Sequence, residues 1–272
     1  MNRRPATAKL NLALVVGSRR EDGKHEVATV LQRLDLADRI RVEPAPALRV
    51  TGFPPDTLVR QALEELAAQA KVEPRWHATI AKRIPVSAGL GGGSSDAATA
   101  LRLANELLDE PLPAERLLPI AARLGADCPF FLTSGPQLGT GDGAELAPLD
   151  LPQDYWVLLL LPRGAAKVST ATVYGTFDER AGAGGFEERR AALLAALDGT
   201  ARAADLAALP PNDLTSSSFA DRLRGLGAFR ADVTGAGPVV YGLFLHRRQA
   251  EGARAVLEPL GRVWITAPAW YG

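Results

Sequence analysis

Between Ala6 and Leu14 the chain alternates, with Ala6, Ala8, Leu10, Leu12 and Leu14 set against Thr7, Lys9, Asn11 and Ala13. That is the two-residue period of a strand with one buried face. The turn-forming stretch Arg20-Glu21-Asp22-Gly23 follows, and apolar positions around His25–Gln32 and Arg39–Glu43 predict a second and a third strand. From Asp56 to Lys71 the period lengthens. Leu58, Ala62, Leu66 and Ala70 fall on one helical face, with Asp56 placed to cap it. Trp76, Ala78, Ile80 and Lys82 predict a further strand, and Ile84 to Gly93 a loop that opens into a helix from Ser94 to about Leu108. A short helix over Ala114–Leu124 stops at Gly125, and Phe130–Thr133 is expected to be extended.

Prolines and acidic residues interrupt the pattern at Leu149–Gln153, where a domain boundary is expected, giving domains over 1–152 and 153–272. The second half predicts strands at Tyr155–Leu161, Phe229–Val233, Val239–Leu245 and Val263–Ala267, with helices at Glu187–Leu197 and Gln249–Leu260. Arg180–Gly185 is glycine-rich and is expected to be mobile, and no internal repeat is found. Strands and helices mixed in this way predict an α+β architecture.

Composition narrows the function classes. Hydrophobic residues make up 47% of the 272 residues, enough for a core without staples. Lys plus Arg and Asp plus Glu balance at 31 each, so no global field exists to hold nucleic acid or an anionic membrane. A phosphate site would have to be local and built from backbone as much as from side chains. The single cysteine, Cys128, excludes an internal disulfide. Met1–Thr7 lacks the apolar run of a signal peptide, and Trp156–Leu161 is too short to span a bilayer, so a cytoplasmic setting is expected.

The most informative stretch is Pro85-Val86-Ser87-Ala88-Gly89-Leu90-Gly91-Gly92-Gly93-Ser94-Ser95-Asp96. Glycines let the backbone approach a ligand, and N–H groups at a helix start attract anions, so the stretch can cradle a polyphosphate; a bare glycine cluster is equally a flexible loop capped by Ser94. A Walker loop is excluded because Gly93 is followed by Ser94 rather than by Lys. A dinucleotide fingerprint needs an acidic residue at the end of a second strand, whereas Asp109 sits between helices, before Pro111 and Pro113. Taken singly, Lys9 reads as a solvated strand residue, Asp127 as a turn residue and Thr234-Gly235-Ala236-Gly237-Pro238 as a hairpin loop. His25, His77 and His246 lack metal-ligand spacing, and Cys128 reads as a small buried side chain.

In sequence order, Ala6-x-Ala8-Lys9-Leu10-Asn11-Leu12, Asp22-Gly23-x-His25-Glu26, the glycine stretch, Leu124-Gly125-Ala126-Asp127 and Thr234-Gly235-Ala236-Gly237 resemble the galactokinase–homoserine kinase–mevalonate kinase–phosphomevalonate kinase (GHMP) superfamily over nearly the whole chain. The Lys9 and Asp22–His25 segments are similar to the branch whose substrate is 4-diphosphocytidyl-2-C-methyl-D-erythritol, a precursor in the non-mevalonate isoprenoid pathway.

The resemblance implies a two-domain α+β GHMP kinase fold, with an N-terminal domain like ribosomal protein S5, a ferredoxin-like C-terminal domain and the active site between them. It implies a kinase that moves the γ-phosphoryl group of ATP to an alcohol, with magnesium travelling on the ATP. The loop Pro85–Ser95 would wrap the ATP phosphates, Gly235 and Gly237 would close the cleft, and Leu58 would lie near the adenine. Asp127 matches the catalytic base and Lys9 its cationic partner. His25 would hydrogen-bond the cytosine, Tyr174 would stack on it, and Asn11 and Thr170 would hold the polyol and diphosphate. The chain departs from the family at Lys24, where an aromatic is usual, and at Thr57, where an Asn precedes the Leu. A sibling kinase acting on homoserine or mevalonate would not need the Asp22–His25 segment. A non-catalytic nucleotide-binding relative would be expected to lose Lys9 or Asp127, and both are present.

Overall fold

A computed structural model describes residues 3–53, 57–165 and 168–269. The chain runs β1 (Arg3–Arg19), β2 (His25–Pro44), β3 (Arg49–Thr51), α1 (Leu58–Ala70), β4 (Trp76–Ala81), α2 (Gly92–Asn105), α3 (Ala114–Leu124), β5 (Gln137–Thr140) and β6 (Glu145–Pro148). It continues through β7 (Trp156–Pro162), α4 (Thr170–Glu179), α5 (Phe186–Asp198), α6 (Ser218–Gly225), β8 (Arg230–Val233), β9 (Val240–Phe244), α7 (Arg247–Leu257) and β10 (Gly261–Thr266). Strands β1–β6 form one six-stranded sheet and β7–β10 a four-stranded antiparallel one, an α+β arrangement.

The first sheet is organised by β2, a continuous strand where the sequence predicted two. It pairs with β1 along one edge, and with β5 and β4 at successive places along the other. Arg33 and Asp38, polar residues between the two predicted strands, are buried and hydrogen-bonded. Arg33 donates to the carbonyls of Phe130 and Thr133. Asp38 is fully buried and accepts from Lys82 Nζ at 2.5 Å and from the backbone of Arg83 and Ile84. Buried polar groups with partners do not end a strand.

β1 is also more enclosed than its alternation suggests, since Ala6 to Val16 are all buried. Ala8, Leu10 and Leu12 enter a core shared with Val157, Leu159 and Tyr241 of the second sheet, while Lys9 and Asn11 face a cavity instead of solvent. A register shift between Asn11 and Ala13 then reverses the phase. Ala13 and Val15 take over the shared core, and Leu14 joins Lys9 and Asn11 at the cavity. A bulge re-aims side chains in this way.

Other differences are local. Phe130–Thr133, expected to be extended, is replaced by a 3₁₀ turn over Pro129–Leu132, started by the proline and closed by Thr133 N–H donating to Phe130 O at 3.3 Å. The glycine-loop helix starts at Gly92 and ends at Asn105, earlier than predicted at both ends. The expected cap Asp56 lies outside the described residues, and Thr57 makes no side-chain cap bond. The predicted helix to Leu260 is α7 followed by a 3₁₀ turn at Glu258–Leu260. Strands β3, β5 and β6 and helices α4 and α6 were not anticipated. Cys128 is buried in the core around α1–α3, and burial pushes its thiol up to about 11, in keeping with a packing role. Among the described residues, no helix is long and apolar enough to cross a membrane.

Candidate active site

The glycine loop is pinned to β1 by its backbone. Lys9 N–H donates to Leu90 O at 2.9 Å. Gly91 then approaches so closely that a Cβ there would lie 2.8 Å from Lys9 Cγ and 3.0 Å from Phe131 Cζ. On the other side the loop meets the turn between β8 and β9. A Cβ at Gly89 would come within 2.6 Å of Thr234 O, and the φ of +79° is one that side chains rarely adopt. The two glycine segments, with Gly89 and Gly235 146 positions apart in sequence, therefore abut without side chains between them.

Two cavities adjoin along this loop. The first, about 410 Å³, is lined among others by Lys9, Asn11, Asp127, Thr170, Tyr174 and Gly235. The second, about 450 Å³, is lined by the backbone run Pro85–Ser94 together with Phe53, Leu58, Lys82 and Thr170. Ser87, Gly89, Gly91, Ser94 and Thr170 belong to both. A cradle of backbone, whose glycines let it pack closely against β1 and the β8–β9 turn, suits a polyphosphate.

Lys9, only 5% exposed, stands where these cavities meet. Its Nζ donates to Asn11 Oδ1 at 2.5 Å and lies 3.5 Å from Asp127 Oδ2. Asn11 is held in turn: its Nδ2 donates to Thr29 Oγ1 at 2.8 Å, and its backbone N–H to Thr234 Oγ1 at 3.1 Å. With both ends of its amide engaged, Asn11 fixes the direction of Lys9, whose charge is aimed at the partly exposed Asp127 carboxylate. A carboxylate and a buried ammonium at the mouth of a phosphate cradle can accept a hydroxyl proton and stabilise negative charge.

The unanticipated helix α4 supplies the far wall. Ser169 caps it, its Oγ accepting from Thr172 N–H at 3.1 Å. Tyr174, Phe177 and Asp178 follow at spacings that share one helical face. His25 at the start of β2 meets all three. Its ring lies 4.7 Å from that of Tyr174 and 6.0 Å from that of Phe177, and its Nε2 donates to Asp178 Oδ1 at 2.7 Å. That hydrogen bond, aided by Arg19, holds the Asp178 carboxyl below the usual carboxylate range. Burial, and secondarily the charge of Asp127, push the Tyr174 phenol up to about 12.

Of the residues expected to bind substrate, Asn11, Thr170 and Tyr174 line the first cavity and His25 does not; the expected catalytic pair Lys9 and Asp127 line it too, as do Gly235 and Gly237, which were expected on the ATP side. Lys24 is not laid over the cavity as a stacking group. It is ion-paired to Asp142, which does line it. Burial raises the Asp142 carboxyl, but the Lys24 hydrogen bond and charge outweigh it and hold it below the usual range. Beside the nucleotide-sized cavity Leu58 is present and Thr57 is not.

Sequence reasoning missed Lys82, which touches the buried Asp38 and Asp96 and lies 5.7 Å from the Phe53 ring. Burial works against its charge, yet the two carboxylates outweigh burial and raise its pKa. Nothing in its own segment signalled this, because its partners come from β2 and α2. Asp178, in a segment with no predicted element, was missed for the same reason.

Comparison with known proteins places the chain in a family. The family model described as "GHMP kinases N terminal domain" matches residues 57–135. The 4-diphosphocytidyl-2-C-methyl-D-erythritol kinase of Streptomyces coelicolor is 39% identical, over 93% of this chain and 91% of its own. The enzyme of the same name from Geobacter sp. (strain M21) is 37% identical over 96% of both. A crystal structure of 4-(cytidine 5'-diphospho)-2C-methyl-D-erythritol kinase superposes with a TM-score of 0.79 at 32% identity, covering 98% of this chain and 99% of the other. The mevalonate kinase of Methanococcus jannaschii, at 13% identity and a TM-score of 0.75 over 98% of both chains, shares the fold. By identity along nearly its full length, the chain belongs to the 4-diphosphocytidyl-2-C-methyl-D-erythritol kinase family of the GHMP kinases.

Proposed function

We propose that the protein transfers the γ-phosphoryl group of ATP to the 2-hydroxyl of 4-diphosphocytidyl-2-C-methyl-D-erythritol, with Asp127 as the base and Lys9 as its cationic partner. Family membership makes ATP the phosphoryl donor. The observation that carries the reading is the Lys9–Asp127 pair at 3.5 Å, set where a cavity lined by the glycine loop adjoins one large enough for a second ligand. Phosphoryl transfer needs positioning and charge stabilisation more than covalent help. The loop Pro85–Ser94 would hold the ATP phosphates through its backbone, without Ser95, whose N–H is taken by Gly91 O at 2.9 Å and which lines another cavity. Phe53 and Leu58 would offer apolar contact to the base. Asp127 would take the proton of the attacking hydroxyl while Lys9, steered by Asn11, stabilises the developing alkoxide. Tyr174 would stack on the cytosine. His25 would act by backing the Tyr174 ring, and Thr170, shared by both cavities, would meet the diphosphate.

Magnesium would arrive on the ATP. Among the described residues no group of three or more His, Cys, Asp or Glu side chains converges to hold a metal ion, and a hard cation bound to phosphate oxygens and its own waters asks for no such cage. The reading includes domains at 1–152 and 153–272, which supply the glycine loop and the β8–β9 turn respectively, and a cytoplasmic setting.

An ADP-release assay over candidate alcohols tests the proposal. The cytidyl diphosphate ester should be preferred over methylerythritol phosphate, homoserine and mevalonate by orders of magnitude in kcat/KM. Equal turnover of methylerythritol phosphate would remove the cytidine from the recognition, and turnover of homoserine or mevalonate alone would make this a sibling kinase.

A further inference from the structure

Phe131, whose ring closes on Gly91, also lines a separate cavity of about 180 Å³. Arg4, Arg33 and Arg102 converge on it, with Ser95 and Thr99 of α2 completing the wall. Arg4 is paired with Glu106 at 2.8 Å and is well exposed, which puts it at the mouth. Arg33 and Arg102 differ. Among the described residues neither forms an ion pair, and each is held by carbonyls: Arg33 by Phe130 and Thr133, Arg102 by Leu132 at 3.1 Å.

Arg33 is 4% exposed and its guanidinium stacks 4.9 Å from the Phe130 ring centre, so its direction is fixed. Yet its Nε has no hydrogen-bond partner, and neither has the Oγ of Ser95, which is 1% exposed. Buried donors without partners are rare in folded proteins, and two guanidiniums sharing a wall repel each other. Burial, and then the charge of Arg102, push the Arg33 guanidinium down to about 10. A water could satisfy the orphan donors but supplies no charge. A tetrahedral dianion does both, because its oxygens match the guanidinium fork and a hydroxyl.

We propose that this cavity is an oxyanion site distinct from the glycine loop, taking one dianionic phosphate, free or as the end of a small phosphomonoester, on Arg33, Arg102, Ser95 and Thr99. The cavity leaves room for the anion and some of its water, and its opening beside Arg4 provides entry.

The test keeps the glycine loop filled with a non-hydrolysable ATP analogue and magnesium, and follows thermal unfolding as inorganic phosphate replaces chloride at constant ionic strength. A saturable rise in Tm of a few degrees is expected for the wild type, as for a ligand that binds only the folded state. Arg102→Gln should weaken phosphate at least about tenfold, as removing a charge-assisted hydrogen bond does. Thr99→Asp places a carboxylate in the cavity; it should raise Tm without phosphate and abolish the response to it. Lys9→Met should respond as wild type. Glycerol 3-phosphate separates the two sources: tighter binding than phosphate assigns a phosphomonoester, equal or weaker binding the free ion. The proposal fails if chloride and phosphate act alike on the wild type, if Arg102→Gln and Thr99→Asp respond like it, or if Thr99→Asp lowers Tm.

Discussion

Replacing Gly91 by alanine should damage catalysis through Lys9, because the new Cβ has nowhere else to go. Gly91 has φ +67°, and an L side chain in that region costs about 1–2 kcal/mol. The added carbon would also lie 2.8 Å from Lys9 Cγ and 3.0 Å from Phe131 Cζ, the first a separation real Cβ atoms essentially never show. Phe131 is buried and packed, so the flexible Lys9 side chain is the group that yields. Its movement breaks the 2.5 Å hydrogen bond to Asn11 and the 3.5 Å relation to Asp127. A displacement of about 1 Å at a catalytic group lowers rate by roughly 10²-fold, or about 2.7 kcal/mol. The expected variant therefore unfolds at lower urea, by the ~1–2 kcal/mol of backbone strain, and has kcat reduced roughly 10- to 100-fold. Gly93→Ala is the control. It is helical, and its Cβ would meet only Leu58 Cδ1 at 3.5 Å. It should fold at least as well as wild type, so any rise in its KM for ATP reports a close phosphate. Steady-state ADP release and urea titration of both variants decide the matter. A Gly91→Ala enzyme that is less stable yet turns over at the wild-type rate would refute the account of Lys9.

Asp127→Asn and Lys9→Met should each lower kcat by roughly 10²–10⁴-fold with little change in ATP binding, and the double variant should be little worse than either, since they act as a unit; additive losses would separate their roles. Tyr174→Ala should cost about 1–3 kcal/mol of cytidyl-substrate binding, read as KM with kcat retained. Because the Tyr174 phenol stays protonated up to about pH 12, Tyr174→Phe should leave the pH profile of kcat/KM between roughly 7 and 10 unaltered. Asp178 has a lowered folded-state pKa, so its pairing with His25 and Arg19 stabilises the protein above the unfolded carboxyl pKa of about 3.9 and is lost as pH falls through the folded value. Urea midpoints of Asp178→Asn should accordingly fall below wild type at neutral pH and converge with it near pH 2; a deficit independent of pH would show packing, not charge, at work.

Of the segments singled out, the glycine loop was legible because its constraint is local, whereas Lys9, Asp127 and the Thr234–Pro238 turn stood out only through the order of motifs that carries the family resemblance. The glycine run before α2 needs close backbone approach, and that requirement is written in the residues themselves. The alternation of β1 likewise placed Lys9 and Asn11 on one side. What that side faces was not legible. It is enclosed by loops from both sheets, and the bulge that turns Leu14 to the same cavity depends on pairing with β2. Between the two strands predicted where β2 is continuous, partners about 45 to 100 residues away, in the chain after β4 and around the 3₁₀ turn, hold Asp38 and Arg33.

Helix α4 shows the limit most clearly. Ser169 to Tyr174 is rich in β-branched residues that are poor local evidence for a helix, yet packing of Phe177 against Leu14, Val16 and Val27 holds it. That helix in turn decides where Tyr174 stands and what His25 touches. Sequence, with the resemblance its motifs carry, determined the fold class and singled out the glycine loop and the two charged residues that the structure pairs. The tertiary structure decided the 3.5 Å separation of that pair, the withdrawal of His25 from the cavity wall and the pairing of Lys24 with Asp142. Each of those joins residues about 118 to 153 positions apart, a range at which backbone propensity carries no information and only strand pairing and tertiary packing do.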